Sequence, residues 1–188
     1  MTSPEALARQ AAAQPSAFAD LYDLYYDRVY RYFLLHAGDQ VEAEDLCALL
    51  FERLLRALPQ YDPARGGFEP WLFTLARNLL RDHFRRQRLR RFLPLDAAAR
   101  RPAPDPDPEE SLARGEERTR LLAALWTLPE RERDLLGLKF GAGLTNRQIA
   151  AVSGLSESNV GVLIYRAVRK LRAACEEPAG KEHTDGRA

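Results

Sequence analysis

Between Arg77 and Arg91 the chain places seven arginines (77, 81, 85, 86, 88, 90 and 91) against a single acid, Asp82. A local excess of six positive charges makes a phosphate-binding stripe whose affinity falls steeply with salt. A charge run alone is more often a solvated helix end, so its neighbours decide. Trp71, Thr74, Asn78, Arg81 and Arg85 recur at alternating offsets of three and four, on one helix face. That face pairs an aromatic ring that can stack with groups that hydrogen-bond or carry charge. Just before it stands Tyr61 to Phe68, YDPARGGF, where Gly66 and Gly67 let backbone approach a ligand closely and Arg65 adds charge. Aromatic, basic and Gly-rich features together suit single-stranded or flipped bases better than a closed duplex.

A second nucleic-acid pattern lies at Leu144 to Leu171, LTNRQIAAVSGLSESNVGVLIYRAVRKL. Thr145 followed by Gln148 is a capping box, Ala150 is small where a second helix must cross, and Gly154 supplies the turn. Ser156 caps the next helix, whose apolar face runs Val160, Leu163, Ile164, Ala167, Val168 and Leu171. Its other face carries Ser158, Asn159, Gly161, Val162, Tyr165, Arg166 and Arg169. An ordinary amphipathic helix pair in an all-helical core is the plain alternative. The coincidence of small residue, turn glycine, cap and apolar pair favours a helix-turn-helix that places a helix in a DNA groove.

Enzymatic chemistry finds no support. There is no metal-ligand spacing, phosphate loop or nucleophile constellation, so no catalytic residue, metal site or cofactor is assigned. His36, His83 and His183 are isolated, and read as surface or helix residues rather than ligands. Cys47 and Cys175 lie far apart in apolar helical patterns, which indicates neither a disulfide framework nor a zinc site. A net charge of +1 over 188 residues excludes a uniformly basic coat while hiding the local asymmetry. No signal peptide and no apolar run near the ~20 residues needed to span a bilayer is present, so the reading is cytoplasmic with no membrane insertion.

The elements that must position these groups are all helical. The expected fold is all-α, two small helical domains joined by an extended linker. Residues 1–14 read as a flexible N-terminus. Over residues 15–91, one helix face runs Phe18, Leu21, Tyr22, Tyr25, Val29, Tyr32 and Phe33 and ends at Gly38. Asp39 caps a second helix with Leu46, Leu49, Leu50, Leu54, Ala57 and Leu58 facing inward, stopped by Pro59. A third starts near Pro70 and buries Leu72, Leu75, Ala76 and Leu79. Residues 92–115 form an acidic, Pro-rich linker. Residues 116–176 hold a helix with Leu121, Leu122, Leu125 and Trp126, another beginning at Pro129 and ending around Gly141, then the helix-turn-helix. Residues 177–188 read as a disordered tail.

Several motifs in this order resemble a bacterial RNA polymerase sigma factor of the extracytoplasmic-function class, in the sigma-70 superfamily. They are AEDL (43 to 46) with Phe51 and Arg53 after it, FEPWLFTLARNLLRDHFRR (68 to 86), LPERERDLLGLKF (128 to 140), and the helix-turn-helix with YRAVRKLR. The resemblance implies sigma region 2 at 15–91 and sigma region 4 at 116–176. It implies that Asp45, Leu46, Leu49, Phe51 and Arg53 bind core RNA polymerase at the clamp helices of the largest subunit, with region 4 at the flap region. Tyr61, Arg65, Gly66, Gly67, Phe68, Trp71, Thr74, Asn78, Arg81 and Arg85 would open the minus-ten element of promoter DNA and hold its non-template strand. Ser158, Asn159, Gly161, Val162, Tyr165, Arg166 and Arg169 would meet the minus-thirty-five element as duplex. The acidic linker would thread toward the active-site cleft, and an anti-sigma factor would hold both domains.

Two departures stand out. Ala48 and Leu49 replace the family's usual Gln-Glu pair, which predicts a more apolar polymerase contact. Gly161, Val162 and Leu163 stand where basic and small polar residues are usual, with Leu163 at a buried offset, which predicts weaker or shape-dependent upstream reading. The rival function is a stand-alone helix-turn-helix regulator that binds duplex operator DNA by itself.

Overall fold

A computed structural model describes residues 3–91 and 112–176. Residues 92–111 of the acidic linker expected at 92–115, and the tail 177–188, lie outside the described residues. Within them the elements are helices α1 (Pro4–Ala11), α2 (Pro15–Ala37), α3 (Gln40–Ala57), α4 (Phe68–Arg91), α5 (Leu112–Thr127), α6 (Glu130–Leu136), α7 (Asn146–Ser153) and α8 (Glu157–Glu176). Short 3-10 turns follow α3 at Leu58–Gln60 and Pro63–Arg65, and a π-helical turn, Gly137–Gly141, extends α6. No strand occurs among the described residues.

Local chemistry explains most of these boundaries. Gly38 ends α2 at φ 72°, a left-handed conformation that a Cβ disfavours. The next residue, Asp39, caps α3 by accepting from the Glu42 N–H. Helix α4 begins at Phe68 rather than Pro70, and Pro70 is tolerated because its missing N–H falls in the unbonded first turn. In the last helix pair, Thr145 and Gln148 form both halves of the capping box, and Gly154 ends α7 at φ 75°.

Three expectations need correction. Residues 4–11 are not a frayed lead: Ser3 caps α1 through the Ala6 N–H, and Ala8 and Ala11 are buried against α2. Helix α5 starts at Leu112, so the linker ends earlier than residue 115. Leu49, Leu121 and Trp126, expected inward, are 45%, 42% and 43% exposed. The all-α fold of two small helical domains is as expected, and the two also pack together: the buried core runs without a break from Ala8 in α1 to Ala167 in α8. Their seam is where α2 meets the π turn and α4 meets α7.

Candidate nucleic-acid interface

The downstream surface is built at the start of α4. Tyr61 lies with Phe68 and Trp71 at centroid distances of 5.4 and 5.0 Å, and Phe68 and Trp71 are 5.8 Å apart. The Tyr61 hydroxyl donates to the Gly66 carbonyl at 3.1 Å, and Asp62 accepts from the Ala64 N–H at 2.9 Å. These bonds hold the YDPARGGF loop in one shape, with Arg65, Gly66 and Gly67 exposed. A cleft of about 410 Å³ results, lined by Gln60, Tyr61, Asp62, Arg65, Gly66, Gly67, Pro70, Trp71, Thr74 and, from the other domain, Ala151. Its size lies within the range of small-molecule clefts. Thr74 directs its hydroxyl to the Pro70 carbonyl at 2.7 Å, leaving its oxygen lone pairs as acceptors. Asn78, Arg81 and Arg85 continue the face as exposed residues, Arg85 reaching Asp82 at 3.3 Å.

One member of the set is misplaced. Phe68 is fully buried between Tyr25, Tyr61 and Trp71, so it supports the loop and presents no ligand-facing surface. A loop-bounding aromatic in sequence reads the same whether it caps the core or lines the cleft.

The upstream surface lies on α8. Ser158, Asn159, Val162, Tyr165, Arg166 and Arg169 are exposed, Tyr165 at 64% and Val162 at 44%. Gly161 is half-buried instead and faces Asn146, where an added Cβ would meet the amide nitrogen at 3.5 Å. Leu163 packs partly buried against the core, as its offset predicts.

On α3, Asp45 and Leu49 are exposed and Arg53 lies half-buried, 3.8 Å from Asp82. Leu46 and Phe51 are corrections, being 1% and 4% exposed. Phe51 packs under Tyr22 at 4.4 Å and Tyr26 at 6.4 Å, while Leu49 stays 45% exposed.

A third group of polar residues escaped the sequence reading. Arg77, counted within the arginine stripe, turns into the seam: its Nε donates to Asp134 Oδ2 at 2.6 Å and its Nη1 to the Val152 carbonyl at 3.2 Å. Asp134 also accepts from the Tyr32 hydroxyl at 3.0 Å. Glu69 accepts from Arg28 at 2.5 Å and from Gln148 at 2.6 Å. Burial alone would push the Glu69 carboxyl up, but the bonds and charge of Arg28, with Gln148 and Tyr25, outweigh it and pull it below its ordinary range. His36, expected at a surface or on a plain helix position, is 2% exposed. Its Nδ1 sits 2.7 Å from the Tyr32 carbonyl, which makes Nδ1 the donor and Nε2 the unprotonated nitrogen of a neutral ring. Burial holds its pKa below the ordinary value. Among the described residues no group of three or more potential ligands is arranged to hold a metal.

Comparison with known proteins places both surfaces in one frame. Residues 21–90 match Sigma-70 region 2 and residues 118–171 match Sigma-70 region 4. The chain is 30% identical over 158 residues to the ECF RNA polymerase sigma factor RpoE of Cereibacter sphaeroides, covering 84% of this chain and 85% of that one. The chain belongs to the extracytoplasmic-function sigma factors of the sigma-70 family. It is also 35% identical over 167 residues to the ECF sigma factor BldN of Streptomyces coelicolor, covering 89% of this chain but spanning 63% of BldN's length. Among solved structures, CnrH in complex with the cytosolic domain of CnrY matches with a TM-score of 0.66 and 27% identity, over 90% of this chain and 94% of that one. In this sigma-factor frame α2, α3 and α4 are region 2, and α5 to α8 are region 4. The cleft beside Trp71 belongs to region 2, and the exposed face of α8 to region 4. No described helix is long and apolar enough to cross a membrane.

Proposed function

We propose that the protein is a promoter-specificity subunit: it binds core RNA polymerase, melts the minus-ten element and contacts the minus-thirty-five element, while catalysis resides in the polymerase. One observation carries this reading. The residues that combine stacking, close backbone and positive charge converge on one cleft of about 410 Å³ at the head of the arginine-rich helix. An unstacked base needs an aromatic platform, and the strand that carries it needs cations nearby. Trp71 supplies the platform and Arg65 the cation in the cleft, with Arg81 exposed further along α4. Phe68 acts from beneath as a support.

The exposed face of α8 serves the upstream element. With Val162 outward and Gly161 turned toward α7, it presents few donors to base edges, and Arg166 and Arg169 chiefly grip the backbone. The exposed side of α3 at Asp45 and Leu49 is the polymerase-facing surface. A protein of this kind works in the cytoplasm, and an anti-sigma factor is its expected regulator.

Purified protein added to core polymerase should give promoter-directed transcript starts on genomic fragments. A footprint on duplex DNA by the protein alone, without such starts, would establish the stand-alone regulator instead.

A further inference from the structure

We propose that a cavity between α2, α4 and α6 binds a small molecule carrying a diphosphate group, a ligand separate from promoter DNA. The cavity has a volume of about 470 Å³, within the range of small-molecule sites, and shares no lining residue with the minus-ten cleft. It does not depend on the promoter reading.

Its charges are unevenly partnered. Four arginines (77, 81, 131 and 133) and two carboxylates, Glu130 and Asp134, line it. Both carboxylates are already engaged. Asp134 accepts from Arg77 at 2.6 Å and from the Tyr32 hydroxyl at 3.0 Å, and Glu130 lies 3.8 Å from Arg88, which is not part of the lining. Among the described residues no hydrogen bond or ion pair holds the guanidinium of Arg81, Arg131 or Arg133, and Arg133 has only the Trp126 ring beneath it at 4.2 Å. Three unpaired cations around one hollow repel each other until an anion enters. Each guanidinium fork fits a phosphate and takes two of its oxygens at once.

Two buried nitrogens narrow the choice of anion. Arg133 Nε and His36 Nε2 are both buried without a partner, the first a donor and the second an acceptor. His36 spends its Nδ1 proton on the Tyr32 carbonyl, so its Nε2 brings a lone pair to the cavity, with Asp134 Oδ1 3.8 Å away. A fully ionised oxygen is repelled by that pair of acceptors. A terminal phosphate keeps part of its last proton near neutral pH, its second pKa being about 6, and can donate it to Nε2 while its other oxygens meet the arginines. Sulfate has no such proton. Three cations exceed what a single phosphate needs, which favours two linked phosphates. Leu80 and Phe84 add an apolar wall on which a nucleoside attached to them could rest.

The test titrates the full chain with inorganic diphosphate, ADP, GDP and sulfate in magnesium-free buffer, by calorimetry and by the emission of Trp126, whose ring lies under Arg133. Diphosphate should bind saturably and about tenfold or more tightly than sulfate. Arg131→Ala, at an exposed position, should weaken diphosphate about tenfold, while Arg86→Ala removes the same charge from outside the cavity and should leave affinity unchanged. Arg131→Gln serves if Arg131→Ala fails to fold. Tighter binding of ADP or GDP than of diphosphate supports the site with a nucleotide as its ligand, and equal binding supports it with free diphosphate. No saturable binding, equal affinity for sulfate, or equal losses in Arg131→Ala and Arg86→Ala overturns the proposal. It is also overturned if Arg131→Ala weakens a single-stranded minus-ten oligonucleotide as much as diphosphate, since these arginines would then form a path for nucleic acid.

Discussion

Two aromatic residues three positions apart, Phe68 and Trp71, illustrate what a side chain's surroundings add to its identity. Both stack in one cluster with Tyr61, yet Phe68 is fully buried while Trp71 lies partly open on the cleft. Stacking on an aromatic is worth about 1–3 kcal/mol per base. Trp71→Ala should therefore reduce open-complex formation about tenfold while leaving closed-complex binding near wild type. Permanganate footprinting alongside a gel-shift assay measures the two, and equal losses in both would remove Trp71 from strand opening. The helical offsets made this face legible in sequence, because a period of 3.6 residues is a local property. They did not distinguish Arg77 from Arg81. Those two sit one turn apart on the same helix, and only the arrival of Asp134 from a distant segment separates a seam residue from an exposed one.

At the scale of elements, the starts and stops were readable wherever one residue decides them. The capping box at Thr145 and the left-handed Gly38 and Gly154 stand where sequence placed them, since caps and positive φ depend on nearest neighbours. Gly154 isolates the conformational effect: at φ 75° with nothing within 4 Å of an added Cβ, substitution meets strain but no clash. Gly154→Ala should cost about 1 kcal/mol. That corresponds to a fall in Tm of roughly 2–4 °C for a chain of this size, measurable by thermal denaturation. An unchanged Tm would mean that the turn relaxes. Helix α1 was missed because Ala- and Gln-rich segments look alike whether frayed or docked. The π turn was missed for a related reason: Gly137 and Gly141, four apart in a helical stretch, signal close approach, but nothing local names what approaches.

On the whole-molecule scale, the seam joins two titrating groups that act in the same direction. His36 is held neutral by burial, so its folded pKa lies below the ordinary 6.5, while Glu69 is held ionised by Arg28 and Gln148, so its folded pKa is also lowered. For a depressed pKa, stability is fully present above the unfolded value and is lost as pH falls, because the unfolded chain then binds more protons. Melting temperature should thus fall as pH drops below about 6.5, first through His36 and at more acidic pH through Glu69, and His36→Phe should flatten the upper part of that profile. A melting temperature independent of pH between 7 and 5 would contradict the burial of a neutral ring. The shared core itself was not legible, since two short amphipathic bundles satisfy every local rule whether they meet or not. That meeting also fixes the surroundings of the chain's two tryptophans. Trp71 belongs to the cleft, while Trp126 lies with the Arg133 guanidinium 4.2 Å over its ring and its indole nitrogen beside Gly38. The native protein therefore carries two intrinsic optical probes, one at the cleft and the other where α5 and α6 meet the end of α2, with no label attached.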